Sequence, residues 1–390
     1  MNCIIYGFST CRESIEAQLN ENVKIIGYSD SFSQLIEFKG KKVYRPKQLK
    51  SIKFDVIIIA IGDFHNSIVV KKKLIDMGIS TEKIILVWEY TKYMNIIKES
   101  DLNYKKKLKS NVQGIILGIS YAQAGIRAEY LGENVYNYAS GSQDIYYNLK
   151  KFQELKRNNI DSLKKLKYII IDMYNYTYFN YDVSLSRNAI EYINNNGFEN
   201  DTHNLIYNRK MLLYNLKNFK LTTTKIDILK KVFNETLMKR KSDVDYFNKD
   251  ERLRIINDDE IDKMRKISSS SCSSIEKNIF IKTENENKAY FEKLINEIYE
   301  VRPNLPIILV LLPVYILKER ELEKIQDMWR ERFYDILDEF IDKYNIHVFD
   351  YKKEESISGV REFYFDLEHL NYYGSSEFTK KLKRDISNLI

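Results

Sequence analysis

The run Val56-Ile57-Ile58-Ile59-Ala60-Ile61 sets the tightest limit on how this chain folds. A strand that is apolar at every position is buried on both faces, which requires a sheet covered by other elements on each side. Strand-length segments of similar character recur at Cys3 to Tyr6, Val23 to Tyr28, Ile84 to Val87, Gly114 to Leu117, Asn134 to Tyr138, Tyr168 to Asp172, Pro306 to Leu312 and Ile346 to Tyr351. Helix-compatible stretches such as Arg12 to Leu19 and Asn66 to Met77 lie between them. This alternation predicts an α/β protein built on parallel sheets. A chain of 390 residues exceeds what one core usually organises, so two domains are expected.

The first domain is predicted over residues 1–95. A charged linker follows at 96–110, and a larger domain spans 111–390 with a mainly helical, polar insertion at about 183–288. The serines Ser268 to Ser271, Ser273 and Ser274 within that insertion read as a mobile loop, with a lid over a site as the functional alternative.

Charge and cysteine content exclude several classes. Lys and Arg number 62 against 55 Asp and Glu, a net +7 dispersed among mixed-sign charges, so no nucleic-acid footprint is expected. The three cysteines, Cys3, Cys11 and Cys272, are too scattered for a disulfide framework or a thiol metal site. With His65, His203, His347 and His369 equally dispersed, no metal is expected. The opening residues have no basic region before their short apolar run, and the segment Leu305 to Leu317 is interrupted by Pro313. Neither a signal sequence nor stable membrane insertion is expected, and a cytoplasmic location follows.

Residues 1–90 resemble the small Rossmann-like domain at the N-terminus of PglD-type sugar acetyltransferases and other bacterial surface-glycan enzymes. The matching segments are IIYGFS, IIGYSD, FKGKKVYRP and FDVIIIAIGD. The turn Gly7-Phe8-Ser9-Thr10-Cys11 lacks the further glycines of a dinucleotide loop. If the domain holds a cofactor or a nucleotide-sugar, Ser9, Asp30 and Asp63 at strand C-termini are the candidate binding residues.

The chemistry points to the larger domain. Ser120 ends the sequence Gly114-Ile-Ile-Leu-Gly118-Ile119-Ser120, at a strand-to-helix turn that would expose its hydroxyl. Asp366 and His369 stand three residues apart, a spacing suited to a charge partner and a general base. Asn371 and Gly374 follow, completing D-x-x-H-L-N-x-x-G ahead of an amphipathic helix. That block resembles the closing block of the SGNH (GDSL-like) hydrolases, and Gly118-Ile119-Ser120 resembles a relaxed form of their nucleophile block. The resemblance spans roughly 110–390 and implies a three-layer α/β/α domain with Ser120, Asp366 and His369 catalytic. It also implies oxyanion donors at Gly141 or Ser142, within Asn137 to Asp144, and at Asn175, within Asp172 to Tyr176.

By this resemblance Ser120 attacks an ester carbonyl, His369 carries the proton and Asp366 orients the imidazole. The expected activity is that of an esterase, deacylase or O-acyltransferase on a carbohydrate or surface-glycan precursor. No cofactor is required for hydrolysis, while a transferase would take acetyl-CoA or another acyl donor. The alternatives are a catalytically inactive scaffold of the same fold and a nucleotide-sugar binder acting through the first domain. Homo-oligomer formation is left open.

Overall fold

The structure, a computed structural model, describes residues 1–9, 11–99, 108–186, 188–198, 200–235, 253–266 and 278–389. It is a mixed α/β protein with two parallel-sheet units. The predicted serine-rich loop and most of the predicted linker lie outside the described residues.

The first unit carries strands β1 (Asn2–Tyr6), β2 (Lys24–Ser29), β3 (Glu37–Phe38), β4 (Lys41–Tyr44), β5 (Val56–Ile59) and β6 (Ile84–Leu86), and helices α1 (Cys11–Glu16), α2 (Phe64–Asp76) and α3 (Val87–Glu99). Its sheet order is β3-β4-β2-β1-β5-β6, parallel except for the short β3–β4 pair. Successive strand residues face opposite sides. On one side Ile4, Tyr6, Ile57, Ile59 and Leu86 pack with Val70 and Leu74 of α2. On the other, Cys3, Ile5, Ile58 and Ile85 pack with Ile15, Tyr90 and Tyr93.

That second face also receives Leu229, Val232 and Phe233. They belong to the helix Thr223–Val232 and its end, within the stretch predicted to be an insertion in the larger domain. The first unit therefore extends past the expected boundary at residue 95, taking in Gly197–Asp201 and Ile206–Asp243. Asn20 anchors this helix by donating to the carbonyls of Lys230, Lys231 and Phe233 at 3.0 to 3.1 Å. Those are carbonyls that a helix C-terminus leaves unmet. Sequence alone put the helix elsewhere because an amphipathic pattern marks a buried face without naming the sheet it covers.

The second unit has an all-parallel sheet of order β11-β10-β9-β7-β8, formed by β7 (Gly114–Leu117), β8 (Val135–Asn137), β9 (Tyr168–Asp172), β10 (Ile307–Leu311) and β11 (Ile346–Asp350). Ile116, Ile170, Ile308 and Val310 share a core with Phe378 and Leu382 of the last helix, Tyr372–Asp385. Their neighbours Ile115, Ile169, Ile171 and Leu309 face the opposite side and are equally buried, so both faces are covered. The helices that position the site are α4 (Ser120–Gly125), directly after β7, and α5 (Ile145–Leu163), after β8.

Candidate active site

The turn from β7 into α4 needs a glycine. Gly118 has φ +139°, and a Cβ there would lie 2.4 Å from Asp172 Cβ on the neighbouring β9. Asp172 is fully buried and receives the N–H groups of Ala122 and Tyr174, each at 2.8 Å. Burial pushes its carboxyl up to about 6, against the opposing pull of those N–H groups and of Lys352. From the other side, Asn148 of α5 accepts the Gly118 N–H at 2.9 Å. The backbone around Ser120 is thus fixed by side chains from two further elements.

The closing block folds as a set of interlocking caps. Asp366 accepts the N–H of Glu368 at 2.8 Å and of His369 at 2.7 Å, which bends the chain so that its carboxylate faces the His369 ring. Leu370 enters the core, and Asn371 accepts the N–H groups of Tyr373 and Gly374 to cap the last helix. Gly374 admits no larger residue, since a Cβ would stand 2.2 Å from the Phe363 carbonyl oxygen.

These two regions, 249 residues apart in sequence, meet: Ser120 Oγ lies 2.9 Å from His369 Nε2. His369 Nδ1 lies 3.0 and 3.1 Å from the two Asp366 oxygens. An ionised carboxylate only accepts, so Nδ1 carries a proton, Nε2 of the neutral ring accepts, and the Ser120 hydroxyl donates. Burial pulls the imidazole's proton affinity down, but the Asp366 hydrogen bond and the charges of Asp366, Glu368 and Asp172 leave its pKa raised. Burial raises the Asp366 carboxyl in turn, and the bond and charge from His369 with the two N–H groups bring it below its ordinary value. Phe365 stacks on the imidazole at 5.5 Å and Tyr121 meets it edge-on at 5.2 Å, fixing the ring plane. Such an arrangement can remove the Ser120 proton and return it to a leaving group.

The residues expected as oxyanion donors make contacts of their own. Gly141 N–H donates to Gln123 Oε1 at 2.7 Å. Ser142 adopts φ +65°, with its hydroxyl 3.0 Å from Ser186 Oγ. Asn175 turns its carbonyl onto its own loop, accepting from the N–H and hydroxyl of Thr177. Two residues next to the nucleophile, Asp172 and Gln123, were not singled out from sequence. Asp172 carried a usable signal, as a carboxylate ending an otherwise uncharged, largely apolar strand. Gln123 carried none beyond its place one helical turn after Ser120.

In the first unit each candidate ligand residue has a partner within the chain. Ser9 donates to the Ala60 carbonyl, Asp30 accepts the N–H groups of Phe32 and Ser33, and Asp63 caps α2 through the Asn66 N–H. Among the described residues no group of three or more His, Cys, Asp or Glu side chains could hold a metal ion. Nor, among them, is any helix long and apolar enough to cross a membrane.

A family described as C2185-like, N-terminal, matches residues 1–85, a stretch confined to the first unit. No curated protein matches the chain.

Proposed function

We propose that the second unit is a serine acyl-ester enzyme of the SGNH kind, cleaving or transferring an O-acyl group on a carbohydrate. One observation carries the reading: Ser120 Oγ stands 2.9 Å from an imidazole whose other nitrogen is held by a carboxylate. In the reaction Ser120 Oγ attacks the ester carbonyl carbon while its proton passes to His369 Nε2. Collapse of the tetrahedral intermediate expels the alcohol oxygen, which takes that proton. Water or an acceptor hydroxyl then attacks the acyl-serine with His369 again as base. Asp366 holds the tautomer and stabilises the imidazolium.

The carbohydrate substrate, and a cytoplasmic place in surface-glycan synthesis, rest on the resemblance of the first unit to glycan-enzyme domains and belong to the same proposal. Acetyl-CoA is the expected acyl donor if the enzyme is a transferase. The test compares wild type with Ser120→Ala on short acyl esters and acetylated sugars, following ester cleavage and acetyl-CoA consumption. Wild type should turn over, and the variant should lose at least about 10³-fold in kcat/KM.

A second reading, a non-catalytic scaffold, is favoured by the occupied Gly141 N–H. Equal inertness of wild type and Ser120→Ala would select it.

A further inference from the structure

An acyl-transfer site needs hydrogen-bond donors where the carbonyl oxygen becomes negative. Asn175, the side-chain donor expected from sequence, has its Oδ1 bonded to Thr177 at 2.6 and 2.8 Å, which engages the acceptor end of that amide. A second carboxamide stands on the nucleophile's own helix. Gln123 follows Ser120 by three residues on α4, and residues so spaced share one helix face.

Its orientation is fixed by chemistry. A backbone N–H can be met only by an acceptor, so the atom 2.7 Å from Gly141 N is the amide oxygen. With the oxygen anchored, the two Nε2 hydrogens are turned away from Gly141. Among the described residues Nε2 has no acceptor, and Gln123 is only partly buried.

The loop that supplies the anchor is itself held firmly. Ser140 N–H donates to the Gly118 carbonyl at 3.1 Å, tying it to the nucleophile turn. Buried Lys151 donates to the Tyr138 carbonyl at 2.9 Å and to Ser140 Oγ. A flexible glutamine would be a poor electrostatic catalyst because its reorganisation would cost free energy during reaction. One tied at its oxygen to a fixed loop is preorganised.

We propose that Gln123 is a catalytic residue, its Nε2–H serving as a side-chain oxyanion donor, with Gly141 N–H as the clamp that aims it. This rests on the acyl-ester reading above. As Ser120 Oγ bonds to the carbonyl carbon, the C=O π pair moves onto oxygen and Nε2–H bonds to that oxyanion. When the pair returns, the bond to the leaving alkoxide breaks and His369 supplies its proton. Gln123 forms no covalent bond.

Three variants test this on an activated acetyl ester: Gln123→Glu, which keeps the acceptor for Gly141 but loses the donor; Gln123→Met, which keeps the length and loses both; and Gln123→Ala. Each should lower kcat by about 10²- to 10³-fold with KM within a few-fold. Gln123→Glu should be the slowest, because its charge faces the developing oxyanion. The proposal is overturned if Gln123→Ala matches or exceeds wild type, which would make the side chain a plug over the Gly141 N–H. It is equally overturned if Gln123→Glu stays fully active while Gln123→Met loses melting temperature and activity together, since only the clamp would then matter. Wild type no faster than Ser120→Ala sinks the acyl-ester reading with it. An active wild type with unaffected Gln123 variants sinks this proposal alone.

Discussion

Each unit begins its sheet with a strand that ends on a left-handed glycine, Gly7 at φ +100° and Gly118 at φ +139°. Both glycines permit a close approach to a neighbouring strand, but the polar groups beyond them have opposite fates. In the first unit Ser9, Asp30 and Asp63 each satisfy nearby backbone. In the second, Asp172 and Asn148 take over that task, holding the N–H groups of Ala122 and Gly118. Ser120 is thereby left to meet His369. A polar side chain at a strand end becomes available for chemistry when a buried neighbour serves the backbone in its place.

The largest effect that sharpens this contrast comes from Asp366→Asn. The asparagine oxygen can still accept the N–H groups of Glu368 and His369, but its NH2 forces Nδ1 to accept and puts the ring proton on Nε2. Ser120 then has no base, and kcat should fall by about 10⁴-fold. In wild type the base must be neutral, so kcat/KM should fall as pH drops through a His369 pKa raised above the ordinary imidazole value. The hydrogen bond and charge of Asp366 hold that pKa up, so in the variant the acid limb of any residual activity should move to lower pH. A pH–rate profile reads both effects. An unmoved limb with an undiminished rate would detach Asp366 from the mechanism.

Smaller effects are expected from the two glycines. Gly118→Ala adds a positive-φ strain of about 1–3 kcal/mol and an overpacking cost of about 1–3 kcal/mol against Asp172. Ester cleavage should collapse with it, because the same backbone carries Ser120. Gly7→Ala meets Ile61 Cγ1 at 2.9 Å and the Ala60 carbonyl oxygen at 3.1 Å. It should lower stability by a similar amount while leaving turnover of folded protein intact. Chemical denaturation beside ester turnover separates the two, and equal loss of turnover in both variants would contradict the asymmetry.

What could be read from sequence divides along physical lines. The sheets were legible because a strand covered on both faces must be apolar without interruption, and the observed β7 and β9 coincide with the expected Gly114 to Leu117 and Tyr168 to Asp172. Ser120, Asp366 and His369 were legible because their spacing is dictated locally, by a glycine turn and by a carboxylate that caps its own loop. β3 was not, since a two-residue strand has no periodicity to detect. Gln123 was not singled out because a polar residue on a short helix looks like any solvent-facing position until the loop carrying Gly141 is placed against it. The helix Thr223–Val232 was assigned elsewhere because chain order does not reveal which sheet a buried face will cover.

The smallest effects belong to the strand-end side chains of the first unit, and they test the other half of the comparison. Asp63→Ala removes the cap of α2 and should cost about 0.5–2 kcal/mol. Ser9→Ala and Asp30→Ala each lose side-chain hydrogen bonds to backbone, worth about 1 kcal/mol apiece. None should alter ester turnover, and a nucleotide-sugar panel should leave the melting temperature of wild type unchanged. A ligand held by these residues would behave otherwise: at 100 times its Kd it would add about 2.7 kcal/mol to wild-type stability. Asp30→Ala would lose that gain as well as its own turn. Such a result would mean that Asp30 exchanges the N–H groups of Phe32 and Ser33 for a ligand, and that the first unit's strand ends are as available for binding as those of the second.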